Sequence, residues 1–375
     1  MKKIFLLGAM MCALGMMTAC KSGNSYSISG TAQGHDGEKV YVYNTEADAI
    51  IDSTTIADGQ FFFSGHTDTA MLVYVYVYAD DDFFGVNLLL QPNSTIIIDA
   101  NSTTLKGNRP SEQLNQFTSQ LDSLREARKK MGLLAVQTQS DSLYAIYVSY
   151  AQQMKDYVDS VGWTLYEANA DNKVGALILY NIADVLTESI NLYREEPTPA
   201  IQRLLSIYAS ASPAVKSNKD LERSIRLITA RTQVKAGTAF RDFEAIDYVS
   251  GKHTTLGAVI NEHVAVIDFW ASWCGPCRRE IEQTLMPLYK KYADRGLVVV
   301  GIDVWDEVEK HDIAVKEMGI AYPQLIDTDK NNSTLLYGLQ MIPQIFLIDR
   351  DGTILGNYRG DELVKAVEKA LGIKE

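Results

Sequence analysis

Two cysteines separated by two residues are the most chemically informative feature of this chain. Cys274 and Cys277 stand in the sequence Trp-Cys-Gly-Pro-Cys, directly after an apolar run that predicts a strand. Pro276 suits the first turn of a helix, where its missing N–H costs little. The free N–H groups and partial positive charge at a helix start favour the thiolate, which is the nucleophile, over the thiol. The pattern predicts that an exposed Cys274 attacks a substrate disulfide and that Cys277, shielded behind it, resolves the mixed disulfide.

Other uses of this cysteine pair fit the sequence less well. A structural zinc site needs four ligands, and the sequence has no second closely spaced pair of cysteines. Haem attachment needs a histidine after the second cysteine, where Arg278 stands. A structural disulfide remains an alternative, although closing so short a loop stabilises a fold very little. We therefore predict no metal, and no cofactor other than the redox-active disulfide of Cys274 and Cys277.

The first twenty residues have the pattern of a secretion signal that ends in a cysteine. Two lysines precede an uncharged stretch over residues 4–17, which has signal-peptide length and is too short to span a bilayer comfortably. Residues 17–20 read Met-Thr-Ala-Cys and resemble the lipobox of bacterial lipoproteins. The resemblance implies a signal peptide at 1–19, a lipid anchor on Cys20 and a location in the cell envelope, facing the periplasm. An ordinary signal peptide that contains a cysteine is the alternative.

Length and charge limit the remaining possibilities. A chain of 375 residues suggests two or three domains. Lysine and arginine total 35 against 47 aspartates and glutamates, so the net charge is −12. This acidic balance argues against a nucleic-acid partner, which requires a basic face.

Residues 25–108 have the pattern of an all-β, sandwich-like domain. Short β-rich runs such as Lys39–Tyr43 and Val73–Tyr78 alternate with turn signals. The dipeptide Asp58-Gly59 between two such runs predicts a hairpin. We expect an antiparallel sandwich.

The two remaining regions are predicted to be helical and α/β. Residues 110–235 read as a helical connector or partner surface, with a helix beginning at Pro110. Residues 236–375 alternate strands and helices, which predicts a doubly wound sheet. Its helix after the cysteines is expected to kink at Pro287, and Asp361 is expected to cap the last helix.

The residues around the cysteine pair resemble thioredoxin. Asp-Phe-Trp-Ala precedes Trp-Cys-Gly-Pro-Cys, and together with the lipid anchor this is similar to membrane-tethered TlpA-like and ResA-like thiol–disulfide oxidoreductases. The similarity covers about 130 residues at the C-terminus and implies a thioredoxin-like fold there. The upstream regions more weakly resemble the N-terminal extension of such lipoproteins, which implies no activity.

The resemblance implies roles for individual residues. Cys274 matches the attacking cysteine and Cys277 the resolving one, and Trp273 would cover their disulfide. Ile342 and Pro343 match the cis-proline loop, which would present the backbone of Ile342 to a bound peptide. Asp268 matches a buried acid that exchanges a proton with the resolving cysteine, and burial would raise its pKa.

Three departures from the family pattern affect tuning and substrate fit. The strand over residues 297–304 lacks the lysine that thioredoxins usually place near the buried acid. Glu280 fits the family pattern, but Glu282 stands where a proline is frequent. Gln344 follows the cis-proline where threonine is common. None of these three departures removes the nucleophile, Cys274.

The sequence predicts a lipid-anchored thiol–disulfide oxidoreductase that reduces protein disulfides. Its expected partners are protein thiol and disulfide substrates and a membrane thiol that donates electrons. A thiol peroxidase is an alternative, because related domains contain peroxidatic cysteines. A redox-regulated binding protein that uses the N-terminal region is a second alternative.

Overall fold

The computed structural model describes residues 24–78, 83–188, 196–327 and 332–373. The predicted signal peptide at 1–19 and the predicted anchor Cys20 lie outside the described residues. The chain divides into two compact units, Met1–Asn115 and Gln116–Glu375. Within the described ranges, every helix is too short or too polar to cross a membrane.

The first unit contains two four-stranded sheets that share one apolar core. Its strands in chain order are β1 (Ser25–Thr31), β2 (Lys39–Asn44), β3 (Ala49–Thr55), β4 (Gln60–His66), β5 (Met71–Tyr78), β6 (Phe83–Leu90), β7 (Thr95–Asp99) and β8 (Thr104–Lys106). The sheet orders are β4-β1-β7-β8 and β3-β2-β5-β6. The sandwich-like prediction is confirmed, with one correction: β1 and β7 pair in parallel.

The turn at Asp58-Gly59 forms, but the hairpin predicted around it does not. Ala57 and Gln60 exchange two backbone hydrogen bonds of 3.0 Å, and both turn residues have positive φ. However, β3 pairs with β2 and β4 pairs with β1, so the turn carries the chain from one sheet to the other. Turn chemistry is local. The choice of sheet depends on burying the apolar face of β4, which contributes Phe61 and Phe63 to the core.

The helical region is confirmed: its described residues, 109–188 and 196–235, contain seven α-helices. They are α1 (Arg109–Thr138), α2 (Asp141–Tyr157), α3 (Trp163–Glu167), α4 (Lys173–Thr187), α5 (Pro199–Ala209), α6 (Pro213–Lys216) and α7 (Lys219–Gln233). Five of them begin after a side chain whose oxygen accepts an N–H of the first turn; these capping residues are Ser140, Asn172, Thr198, Ser212 and Asn218. The sequence therefore specifies where these helices begin.

The C-terminal region is α/β, as predicted, around a seven-stranded mixed sheet. Its strands are β9 (Glu244–Asp247), β10 (His253–Thr255), β11 (Val264–Trp270), β12 (Leu297–Asp303), β13 (Gln324–Asp327), β14 (Gln344–Ile348) and β15 (Ile354–Asn357). Its helices are α8 (Leu256–Ile260), α9 (Gly275–Glu280), α10 (Met286–Tyr292), α11 (Val308–Met318), α12 (Asn332–Tyr337) and α13 (Gly360–Ala370). The sheet order is β10-β9-β13-β12-β11-β14-β15, in which β11, β12 and β13 are parallel and the other pairs antiparallel.

Strand β11 is buried along its whole length and separates two apolar cores. Successive side chains of a strand point to opposite faces. Val264, Val266 and Trp270 join the core that contains both cysteines, whereas Ala265, Ile267 and Phe269 join the other. The same alternation places Asp268 on the face of β11 that carries the cysteine pair.

Two predicted helix features differ from the structure. Where a kink was expected at Pro287, the α-helix is instead interrupted just before this proline by a π-helical segment (Ile281–Leu285) that contains Glu282. Proline lacks an N–H and its ring clashes with the carbonyl four residues earlier, so the chain widens before it. The prediction that Asp361 caps α13 is wrong: Arg359 holds that position, and Asp361 lies in the first turn. A carboxylate also interacts favourably with the helix dipole there.

Gly338 allows the segment after α12 to approach α7 closely. A Cβ at Gly338 would lie 2.4 Å from the backbone oxygen of Leu227, and φ is +65°. Gly319 has the same φ but no atom within 4 Å of such a Cβ. We expect Gly319→Ala to lower the free energy of unfolding by about 1–2 kcal/mol, and Gly338→Ala to lower it further because backbone atoms collide. Urea denaturation of both variants measures this, and equal losses would contradict the close approach.

Candidate active site

Cys274 and Cys277 form a disulfide at the start of α9, with their Cα atoms 5.2 Å apart. Cys274 is the N-cap residue of this helix, and its Sγ accepts the N–H of Cys277 at 3.2 Å. Cys277 is fully buried, as expected. Cys274 is only 4% exposed, so the expected exposure of this residue is wrong for the disulfide form. In the disulfide form, Cys274 belongs to the same buried apolar core as Cys277.

The residues before Cys274 are held by the segment that follows β12. The indole N–H of Trp273 donates to the backbone oxygen of Trp305 at 3.0 Å. The N–H of Ser272 donates to Asp306 Oδ2 at 2.5 Å. The side chain of Trp273 is 61% exposed. The loop thus presents a large, oriented aromatic surface directly beside the first cysteine.

The peptide bond between Ile342 and Pro343 is cis, as the resemblance implied. Pro343 is buried, and Ile342 packs against the apolar core that includes both cysteines. A guanidinium N–H of Arg359 donates to the carbonyl oxygen of Pro343. The side chain of Gln344 accepts a hydrogen bond from Asn357 at 3.1 Å. The structure therefore brings this loop and the cysteine pair to the same core, although Ile342 lies 65 positions after Cys277 in the sequence.

Asp268 is a buried acid on the same face of the sheet. It is 1% exposed, and among the described residues neither carboxyl oxygen has a hydrogen-bond partner. Burial raises the pKa of Asp268 well above its usual range, the charge of Glu280 raises it further, and Arg359 opposes the shift. Asp268 therefore keeps its proton to a higher pH than an ordinary aspartate, which suits a group that exchanges protons near neutral pH.

Three neighbours of Asp268 come from segments that are distant in sequence. Glu280 Oε1 accepts the N–H of Gly360 at 2.7 Å, which ties α9 to the start of α13. Arg359 supplies positive charge to a site whose neighbouring strand lacks the lysine usual in thioredoxins. Tyr322 belongs to the core that contains the cysteines, and burial followed by the charge of Asp268 raises its pKa well above the usual range.

Arg359 and Tyr322 were not predicted as neighbours of the acid, and Glu280 was identified only as part of the family pattern. The spacing of Glu280, three residues after Cys277, could have indicated a shared helix face. No local signal could have found the other two, because strand order decides which segments meet.

The arrangement can carry out thiol–disulfide exchange. A helix N–H is directed at the Sγ of Cys274, where it favours a thiolate once the disulfide is reduced. A second sulfur lies within bonding reach, and a buried acid with a raised pKa lies on the same face. Thiol–disulfide exchange needs a nucleophile, a resolving group and a proton acceptor, and groups of these three chemical types lie on one side of the sheet.

Comparison with protein families gives two matches. Residues 236–356 match the AhpC/TSA family, and residues 26–114 match a domain of unknown function (DUF4369). The expected thioredoxin-like fold of the C-terminal region is thereby confirmed.

Curated relatives match the C-terminal region. Thiol-disulfide oxidoreductase ResA of Bacillus thuringiensis subsp. konkukian is 31% identical over 110 residues, which are 28% of this chain and 60% of the relative. ResA of Geobacillus kaustophilus is 27% identical over 145 residues, which are 38% of this chain and 80% of that relative. Thiol:disulfide interchange protein CycY of Rhizobium leguminosarum bv. viciae is 34% identical over 125 residues, which are 31% of this chain and 64% of that relative. The chain thus spans about 60% of the first of these relatives.

A solved structure is also similar to part of the chain. It is the thioredoxin domain of a thiol-disulfide oxidoreductase from Bacteroides vulgatus, with 25% identity and a TM-score of 0.34. The match covers 36% of this chain and 97% of that domain.

Proposed function

We propose that this chain, whose residues 236–356 form a thioredoxin-like domain of the AhpC/TSA family, is a thiol–disulfide oxidoreductase that reduces protein disulfides. The observation that carries the proposal is the disulfide of Cys274 and Cys277 at a helix start, where a backbone N–H points at the first sulfur. The names of the relatives ResA and CycY support the same reaction.

The proposed reaction begins from the dithiol form. The Cys274 thiolate attacks one sulfur of the substrate disulfide, which forms a mixed disulfide and releases the other substrate sulfur as a thiolate. The Cys277 thiolate then attacks Cys274 Sγ, which restores the internal disulfide and releases the second substrate thiolate. Two electrons pass from the protein to the substrate, whose two thiolates take up the protons lost by the cysteines.

Asp268 is the group proposed to accept the proton of Cys277. Cys277 is fully buried, so bulk water does not reach its thiol directly. Asp268 shares this side of β11, and its raised pKa brings it closer to that of a thiol. Moving a proton from the Cys277 thiol to Asp268 therefore costs less free energy than moving it to an exposed aspartate of ordinary pKa.

Trp273, Ile342 and Pro343 are the proposed substrate contacts. The exposed indole of Trp273 offers apolar area beside Cys274, and Met341 next to the cis-proline loop is 57% exposed. Exposed apolar side chains around a buried reactive group favour an extended peptide over a small polar ligand.

We further propose that Cys20 carries a lipid and holds the chain on the periplasmic side of the cell envelope. A membrane thiol would then supply electrons, since an oxidising compartment otherwise leaves the cysteine pair oxidised. Metabolic labelling with a tagged fatty acid tests the anchor, and a chain that stays unlabelled contradicts it.

The reduction potential of the cysteine pair tests the direction of the reaction. We expect about −250 mV or lower, near thioredoxin at about −270 mV, because both chains have Gly-Pro between the cysteines. Equilibration with glutathione or dithiothreitol buffers measures it. A value above about −180 mV, the potential of protein disulfide isomerase, would contradict a reductase.

Two assays separate this proposal from its alternatives. A thiol peroxidase would consume peroxide with a thiol donor faster than it reduces insulin disulfides. A redox-regulated binding protein would keep its cellular function when both cysteines are replaced by serine. We expect neither result.

A further inference from the structure

Two acids and a histidine meet where β12 ends and α11 begins. Asp303 is the last residue of β12, Asp306 follows in the loop, and His311 lies in the first turns of α11. One potential ligand atom from each residue lies within 4.8 Å of the other two. This cluster takes no part in the thiol–disulfide exchange described above.

Two members of the cluster are buried with polar atoms that have no hydrogen bond. His311 is fully buried, and within the described ranges both of its ring nitrogens lack a hydrogen-bond partner. Asp303 is also buried, and its Oδ1 likewise has no hydrogen-bond partner among the described residues. His311 Nδ1 and Asp303 Oδ1 lie 3.4 Å apart without forming a hydrogen bond. Buried polar atoms normally have a hydrogen-bond partner or bind an ion, so these atoms of His311 and Asp303 indicate a ligand at this position.

The 3.4 Å separation suits a shared metal ion. Zinc binds imidazole nitrogen and carboxylate oxygen at about 2.0–2.2 Å, usually with tetrahedral geometry. Two ligands at such distances and at the tetrahedral angle are about 3.4 Å apart. A linear hydrogen bond would instead bring this nitrogen and oxygen to about 2.9 Å.

The surrounding residues hold the three side chains in place. The rings of Trp270 and Tyr248 pack against His311 with centroid distances of 4.9 and 5.7 Å. Asp306 accepts the N–H of Ser272 through Oδ2 and the N–H of Glu307 through Oδ1, at 2.5 and 2.8 Å. Each oxygen of Asp306 retains a lone pair for a metal ion.

We propose that Asp303, Asp306 and His311 form a binding site for a divalent transition-metal ion of the zinc type. A neutral imidazole suits zinc and its neighbours in the first transition row, whereas magnesium and calcium prefer all-oxygen sites. The two carboxylates balance the charge of the ion, and three protein ligands leave one position for water. Because Asp306 also accepts the N–H of Ser272, two residues before Cys274, an ion here would tie β12 and α11 to the active-site loop.

Zinc binding by the full-length, oxidised chain without an affinity tag tests the proposal. The oxidised form is required because the free thiols of Cys274 and Cys277 would bind zinc themselves. We expect one zinc ion per chain by calorimetry. We expect Asp306→Asn and His311→Gln each to weaken binding about tenfold or more. His263→Gln is the matched control, since His263 is exposed and lies outside the cluster, and it should bind zinc as the parent chain does.

Two further measurements keep the test valid if His311→Gln folds poorly. Asp306 is only partly buried, and asparagine retains an oxygen for the N–H of Ser272. The variant loses only the acceptor of the Glu307 N–H, which is exposed and can bond to water, so Asp306→Asn should fold normally. Zinc should raise the thermal unfolding temperature of the parent chain and not that of Asp306→Asn. Cobalt should give visible absorption bands in the parent chain that this variant loses. An oxidised chain that binds no zinc, or an Asp306→Asn variant that binds it equally, overturns the proposal and leaves only an ion pair between His311 and Asp303.

Discussion

Replacing Cys274 by serine should reduce insulin-disulfide reduction to the uncatalysed rate of the dithiol donor. The hydroxyl of serine is not ionised near neutral pH and cannot replace a thiolate as the attacking group. Replacing Cys277 by serine should stop the reaction one step later. The attacking Cys274 thiolate is retained, but no second thiol restores the internal disulfide, so the substrate remains covalently attached.

The two variants are matched controls for each other. Each removes the same disulfide and replaces one sulfur by oxygen, so a general loss of stability should affect both in the same way. Non-reducing gels and mass spectrometry should find the mixed disulfide with Cys277→Ser and not with Cys274→Ser. The opposite distribution would reverse the roles assigned to the two cysteines. Substantial reduction by Cys274→Ser would refute the mechanism.

Replacing Asp268 by asparagine should change how stability depends on pH. Burial raises the pKa of Asp268 in the folded chain above the unfolded value of about 3.9. Between these two pKa values the folded state binds more protons than the unfolded state, so stability falls as pH rises through this window. Asparagine does not titrate. The free energy of unfolding of Asp268→Asn, relative to that of the parent chain, should therefore rise with pH. The rise should be up to about 1.4 kcal/mol per pH unit within the window.

Asp351→Asn is the control for this stability measurement. Asp351 is exposed, and hydrogen bonds from Thr353 lower its pKa, so its replacement should not produce a growing advantage at higher pH. Urea denaturation at a series of pH values compares the parent chain with both variants. If the two variants have the same pH dependence, Asp268 does not have a raised pKa in the folded chain.

The same Asp268→Asn variant should also slow the resolving step. Without the carboxylate, the buried Cys277 loses its proton acceptor, and general-base effects of this kind are worth about a hundredfold or more. The deficit should shrink as pH approaches the ordinary thiol pKa of about 8.5, where the thiol ionises without help. Stopped-flow measurement of substrate release from the mixed disulfide follows this step. Resolution at the parent rate at every pH from 6.5 to 8.5 would exclude Asp268 from the proton transfer.

The first unit shows how far local patterns can predict structure. The β-rich runs at Lys39–Tyr43 and Val73–Tyr78 and the turn at Asp58-Gly59 were identified correctly, because each depends on a few neighbouring residues. The pairing of β3 with β2 and the parallel pairing of β1 with β7 were not predicted. Strand partners depend on which faces can be buried together, and this is a property of the whole unit.

The sequence by itself determined the reactive groups and the elements that hold them. The cysteine pair, the helix beginning at Gly275 and the strand carrying Asp268 all follow from residue type, spacing and proline placement within one short stretch. The cis bond before Pro343 came from resemblance alone, since local chemistry favours trans for most X–Pro bonds. These features depend on neighbouring residues or are shared by the family, so they can be identified without the tertiary structure.

Only the tertiary structure decided which distant groups surround the chemistry. It placed Arg359 and Tyr322 near Asp268, and it brought Asp303 and His311 together beside the active-site loop. It also buried Cys274, which the sequence suggested would be exposed. Electrostatic effects depend on separation and on exclusion of water. Sheet order and helix packing set both quantities, and neither can be read from spacing along the chain.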